Sequence, residues 1–174
     1  MDKTEFMRCT TSRRQHHLPT TNIKVGSTHV TPSTSVRDLS IFIDSDLVMC
    51  THVQRTVSRC FATLHQLRSI RRSVPTSTMQ TFVVSVVLSR LDCGNATLVG
   101  LPIYLHCRLE SVLNASSRLI YDLRRSDRVI DAVTSLRWLR VRERIKYKTA
   151  LLTFRALRGG APQYLSEKLV RVAD

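Results

Sequence analysis

The sequence predicts an α+β protein that is mainly α, with a short antiparallel β element over residues 1–46 and a helical region over residues 47–174. Three observations predict it. Residues 4–43 read as short strands separated by polar turns. From about residue 47 the apolar positions recur every third or fourth residue, as on one face of a helix. With 43% hydrophobic residues, the chain has enough apolar side chain to bury a core.

In chain order, "TEFMRC" is a candidate strand and "TTSRRQHHLPTT" a polar loop. "NIKVGSTHV" predicts a hairpin with Gly26-Ser27 as its turn. "SVRDLSIFID" predicts the best strand, with Leu39, Ile41 and Ile43 on one face. A first helix carries Val53, Val57, Cys60, Phe61, Leu64 and Leu67 on one face and Arg55, Arg59 and Gln66 opposite. The β-branched run from Met79 to Leu91 would allow a strand, but Ser73 and Pro75 ahead of it favour a buried helix. Over 104–123, Leu105, Leu109, Val112, Ser116, Leu119, Ile120 and Leu123 share a face, with Glu110, Asn114, Ser117 and Arg118 on the other. A short helix around 130–136 follows, then a longer one over 142–157 stopped by Gly159-Gly160, and Pro162 opens a last short helix.

Charge is the strongest global feature. The net charge is +14, and residues 51–174 hold 21 Lys/Arg against 8 Asp/Glu, whereas residues 1–50 hold 6 against 5. Such asymmetry points to a polyanion, with a phosphate backbone as the natural partner, against the blander reading of a solvated basic surface. Five widely spaced cysteines without Cys-x-x-Cys argue against a disulfide framework, and the six histidines form no zinc pattern. "MDKTEFMRCTTSRR" has no apolar signal core, and no stretch reaches the apolar length of a membrane span. The expectation is a soluble protein of cytoplasm or nucleus, not secreted, with no membrane partner and no small-molecule substrate.

The segment "IFIDSD" sets Asp44 and Asp46 at a strand end, where polymerases hold metal. A two-metal site needs a further carboxylate from another segment, and none is in sight, so a turn or helix cap is the better reading. Arg68, Arg71 and Arg72 close the first helix, and Arg124, Arg125 and Arg128 form a loop cluster. Trp138 stands among Arg137, Arg140, Arg142, Arg144, Lys146 and Lys148, able to stack a base but more simply an anchor for its loop. No Gly-rich phosphate loop, nucleophile elbow or His-Glu-x-x-His is present.

Several blocks carry a family resemblance: "VRDLSIFIDSDLVMCTHVQRTVSRCFATLHQLRSIRRSVP", "SVVLSRLDCGNATLVGLP", "LESVLNASSRLIYDLRRSD", "LRWLRVRERIKYK" and "RALRGGAPQYLSEKLVRVAD". In order and spacing the chain resembles, along nearly its whole length, the C-terminal part of non-LTR (LINE-type) retrotransposon reverse transcriptases. The resemblance implies a palm edge over 1–46, with Lys3 of "DKTEFM" matching a lysine near the incoming nucleotide. It implies a helical thumb and post-thumb region over 47–174 that packs on a template–primer duplex. The family's catalytic Ala-Asp-Asp hairpin would fall before Met1, so Asp44 and Asp46 match a border turn. The expected protein is therefore a truncated, non-catalytic remnant of an RNA-directed DNA polymerase that needs no cofactor, Mg2+ belonging only to an intact polymerase. Helix geometry and thumb position single out Arg55, Arg59, Arg68, Arg71 and Arg72 as backbone-gripping residues. The alternatives are a protein-interaction bundle or an element-derived reading frame without function, and the oligomeric state is left open. Ser40 stands where the family commonly has Gly, and Cys93 where it has Tyr.

Overall fold

A computed structural model describes residues 5–169 of the chain. It is mainly helical, with two small antiparallel hairpins ahead of the helices. Lys3 lies outside the described residues.

The first hairpin pairs β1 (Ile23–Val25) with β2 (Thr28–Val30) across Gly26-Ser27. The expected single strand over 35–44 is instead a second hairpin, β3 (Ser35–Asp38) against β4 (Ile41–Asp44). Leu39 and Ser40, at φ 42° and 73°, form a two-residue turn of left-handed backbone that neither residue advertises. The turn projects Leu39 into solvent, 89% exposed, and the buried residues of β4 are Phe42 and Asp44. Of the predicted face, Ile41 is half-buried against the core and Leu39 is not inward at all, while Phe42 is buried beneath Arg37 and Arg55, outside the core cluster. Over 5–9 the expected strand is absent, and isolated amide bonds tie the segment down: Ser33 N to Phe6 O at 2.8 Å and Thr10 N to Ser45 O at 3.0 Å. The polar loop contains a 3-10 turn, Ser12–His17.

The helices are α1 (Cys50–Ile70), α2 (Thr76–Val83), α3 (Ser89–Leu91), α4 (Ile103–Tyr121), α5 (Val129–Ser135), α6 (Val141–Leu157) and α7 (Gln163–Ser166). A π turn over Val84–Leu88 joins α2 to α3 without a break, so Met79–Leu91 is one continuous helix as expected, but only one side of it is buried, through Met79, Val83, Val87, Leu88 and Leu91, while Phe82 and Val84 are exposed. Val53, Cys60 and Leu64 of α1 meet Met79, Val83 and Val87, and Leu105, Leu109 and Val112 of α4, in one core. On α4 the buried set differs from the predicted face: Leu113 and Ser117 are also buried. Ser116 and Ser117 can be buried because each hydroxyl donates to the carbonyl four residues back, Val112 at 2.8 Å and Leu113 at 3.0 Å.

Two glycines fix the connections. At Gly94 the backbone is left-handed (φ 71°), which favours glycine, and an added Cβ would lie 2.8 Å from Ile41 Cδ1, so the Ile41 side chain would have to shift to admit one. Gly159 (φ 72°) ends α6 in a Schellman turn, with Gly160 N donating to Arg155 O at 2.8 Å. Two ion pairs join α6 to the rest among the described residues. Asp92 takes Arg144 Nη1 on both carboxylate oxygens at 3.0 Å, and Glu110 takes Arg140 at 3.1 Å while accepting the Val141 amide at the start of α6.

Candidate nucleic-acid interface

The sequence-predicted arginines do not gather on one face. Arg55 and Arg59 lie one turn apart on the outward crest of α1, both exposed and without a carboxylate partner among the described residues. Arg68 is nine residues beyond Arg59, two and a half turns at about 3.6 residues per turn, and so faces the opposite side. Arg72 is exposed in the 3-10 turn Arg71–Ser73. Arg71 is internal: its guanidinium donates to the Leu119 carbonyl at 2.9 Å, Ile120 at 2.8 Å, Val74 at 3.2 Å and the Thr76 hydroxyl at 3.2 Å. A guanidinium with four acceptors has little left for a phosphate, and its place is structural.

Other elements bring two further arginines to the crest. The Arg55 guanidinium lies 4.2 Å from the Phe42 ring centroid, and Arg37 of β3 lies 5.9 Å from the same ring. Stacking on the ring restricts the Arg55 guanidinium while leaving its N–H edge free for a phosphate oxygen, whereas Arg37 also donates to the Ser40 hydroxyl at 3.5 Å. Arg90 donates to the Thr63 hydroxyl at 2.7 Å, and that hydroxyl donates to the Arg59 carbonyl at 3.0 Å, which sets Arg90 beside the Arg59 turn. Arg37 was foreseeable only from the hairpin register, which pairs it with Phe42. Arg90 carried no signal in its own segment.

On the other flank, a groove of about 490 Å³ opens between α1 and α4. Phe61, Leu64, Leu119 and Leu123 form its floor, and His65, Arg68, Arg118, Arg125 and Asp122 its rim. Phe61, assigned to the core by its spacing, is 40% exposed because it belongs to this groove. Arg118 Nε is buried without a partner, the kind of donor that a phosphate oxygen satisfies.

Asp44 and Asp46 are occupied locally. Asp44 Oδ2 accepts the Thr51 amide in the first turn of α1 at 2.9 Å, which satisfies one of the helix's unpaired donors. Asp46 accepts from Val48 N at 3.1 Å and from the Ser12 hydroxyl at 3.2 Å. No group of three His, Cys, Asp or Glu converges among the described residues. His52, buried behind β4, accepts from Phe42 N at 3.4 Å; burial holds its pKa below 6.5, against the Cys93 carbonyl and Asp44. Trp138 packs, half-buried, against the core at the start of its loop.

Comparison of the chain with protein-family models, curated proteins and solved structures finds no match. No helix among the described residues is long and apolar enough to cross a membrane.

Proposed function

We propose that the chain is a nucleic-acid-binding module of reverse-transcriptase thumb type, which holds a template–primer duplex by its phosphates without reading base sequence. The observation that carries the reading is the α1 crest: Arg55 and Arg59, with Arg37 and Arg90 brought in from β3 and α3, and no guanidinium of the four in an ion pair among the described residues, although Glu5 accepts from the Arg37 amide at 3.3 Å. The block resemblance and the +13 balance after residue 50 support it. Of the five arginines named from sequence, Arg55, Arg59, Arg68 and Arg72 stay in the binding set. Arg71 leaves it, and Arg37, Arg90, Arg118 and Arg125 join. On this reading the chain's own residues bind rather than catalyse.

The test is fluorescence anisotropy of a labelled RNA–DNA duplex titrated with the chain at several salt concentrations. Log affinity is expected to fall linearly with log salt, and each lost phosphate contact to flatten that slope by about 0.9. Arg55→Ala/Arg59→Ala should therefore weaken binding on every sequence tested and reduce the slope by roughly 2. A folded chain that binds no duplex, or binds with no salt dependence, would overturn the reading. The competing interaction-protein reading has one observation in its favour, an apolar groove along α6.

A further inference from the structure

α6 has a weak stripe, and the reason is that it presents apolar side chains in two directions. Val141, Ile145 and Ala156 are buried, while Tyr147, Leu152, Phe154 and Leu157 are exposed. One of its faces repeats at three- and four-residue spacing through Arg142, Lys146, Thr149, Ala150, Thr153, Phe154 and Leu157. That face is one wall of a groove of about 700 Å³, whose other wall is Leu98–Leu101 and His106 of α4. From Arg142 to Leu157 the wall runs fifteen residues, about 22 Å at 1.5 Å per residue, or four helical turns.

Chemistry is graded along that length. Arg142 and Lys146 stand at the N-terminal end, one turn apart, and neither has a carboxylate partner among the described residues. His106 adds a buried Nδ1 with no hydrogen-bond partner. The C-terminal end is lined by apolar Ala150, Phe154 and Leu157, with Val99 60% exposed across the gap and Arg158 4.9 Å from the Phe154 ring centroid just beyond the groove lining.

We propose that this groove receives an amphipathic helix of a partner protein, its apolar face along α6 and an acidic cluster at one end against Arg142 and Lys146. A four-turn trough matches a helix in groove, read as anchors at three- and four-residue spacing. Charge selects the occupant. The α6 of a second copy would set like charges together, since it carries one acid, Glu143, against Arg142, Arg144, Lys146, Lys148 and Arg155, and the chain as a whole has a net charge of +14. A phosphate backbone would meet cations at the Arg142 end but, along the rest of the wall, mainly Thr149, Ala150, Thr153, Phe154 and Leu157. The inference is independent of the duplex-binding reading, which uses α1 and its flanks.

The test is selection from a displayed library of random 16-residue peptides, with the folded chain as bait. Enriched peptides should carry apolar residues at helical spacing and Asp or Glu clustered at one end. The best, synthesised with a fluorophore, should bind at least tenfold more weakly to Arg142→Glu/Lys146→Glu. Changing its acids to Lys should restore binding to that variant. Ala150→Glu, an exposed position, should abolish binding with no change in melting temperature. If charge reversal unfolds the chain, Arg142→Gln/Lys146→Gln reads the same loss. The proposal fails if nothing is enriched, if the enriched peptides lack acids, or if binding survives Ala150→Glu. It fails equally if the chain self-associates through this face, or if Arg142→Glu/Lys146→Glu weakens duplex binding as much as Arg55→Ala/Arg59→Ala does.

Discussion

Replacing Arg71 by Ala separates a structural arginine from phosphate-gripping ones. The last four carbonyls of α4, residues 118–121, have no partner within the helix. Arg118 O is taken by the Leu123 amide at 2.9 Å, while Leu119 O and Ile120 O are taken by the Arg71 guanidinium. Arg71 thereby ties the end of α1 to the end of α4, 48 and 49 residues away in sequence, and its charge suits the negative end of the α4 dipole. A hydrogen bond involving a charged group contributes about 1.5–3 kcal/mol net. Arg71 is half-buried, so water would recover part of the loss at Leu119 and Ile120. A cost of about 2–4 kcal/mol for Arg71→Ala is the expectation. With a urea m-value of about 2 kcal/mol/M, the unfolding midpoint should drop by roughly 1–2 M. Arg59→Ala and Arg72→Ala, on exposed residues, should stay within about 0.5 kcal/mol of wild type.

The assay is paired: urea unfolding by circular dichroism, and duplex anisotropy at a temperature where every variant is folded. Arg71→Ala should lose stability and keep its affinity, and Arg59→Ala the reverse. If Arg71→Ala unfolded at the wild-type midpoint while losing duplex affinity as Arg59→Ala does, the capping argument would be wrong. Arg71 would then return to the phosphate-binding set.

Three further outcomes follow from particular residues. Ser40→Gly should stabilise the chain by about 0.5–1 kcal/mol, because Gly occupies φ 73° without the Cβ penalty and loses part of that gain to unfolded-state entropy. That corresponds to a thermal midpoint raised by roughly 1–4 °C, and a lowered midpoint would show the turn unstrained. Alkylation followed by mass spectrometry should label exposed Cys9, Cys93 and Cys107 in the native chain but reach Cys60 only in urea, since burial pushes that thiol up to about 11; native labelling of Cys60 as fast as the others would contradict its burial. Stability should also fall as pH drops below 6.5. His52 stays neutral in the fold because burial lowers its pKa, while the unfolded chain takes the proton at its ordinary value. The contribution is complete above 6.5 and is lost between there and the depressed folded value, at no more than about 1.4 kcal/mol per pH unit; urea midpoints at pH 7.5, 6.0 and 5.0 measure it, and a rise toward pH 5 would refute it.

The helices were legible because their signals are local. The Leu105–Leu109–Val112 spacing, Pro162 and Gly159-Gly160 each act within a turn of where they stand. The β3–β4 hairpin was hidden because its turn is Leu39-Ser40, with no Gly or Asn to mark the left-handed backbone. Once that turn is missed, Leu39 is placed on one face with Ile41, which does pack on the core, and Phe42, buried beneath Arg37 and Arg55, is overlooked. The binding face was half legible for the same reason. Arg55 and Arg59 share a face by helical geometry alone, but Arg37 reaches them through strand register and Arg90 through a side-chain bond to Thr63. Arg71 reads as a phosphate ligand from its neighbours Arg68 and Arg72, and only the approach of α4 shows otherwise.

Where the carboxylates go fixes what the cations can do, and gives a prediction with two opposite signs. Asp92 and Glu110 are spent on Arg144 and Arg140, Asp127 on the Arg124 amide, and Asp44 and Asp46 at the start of α1. That leaves Arg55 and Arg59 one turn apart with nothing between them, a like-charge pair that costs about 0.2–0.5 kcal/mol in the free chain. Salt screens such exposed charges, the Debye length shrinking from about 10 Å at 0.1 M to about 3 Å at 1 M. The thermal midpoint of the free chain should therefore rise between low and high salt, while duplex affinity falls over the same range. Arg55→Ala/Arg59→Ala should reduce both trends together, because this pair of charges contributes to each. If the variant flattened the affinity trend and left the stability trend unchanged, the repulsion would lie elsewhere among the chain's 27 Lys and Arg residues. If it flattened neither, the crest would not be where phosphates bind.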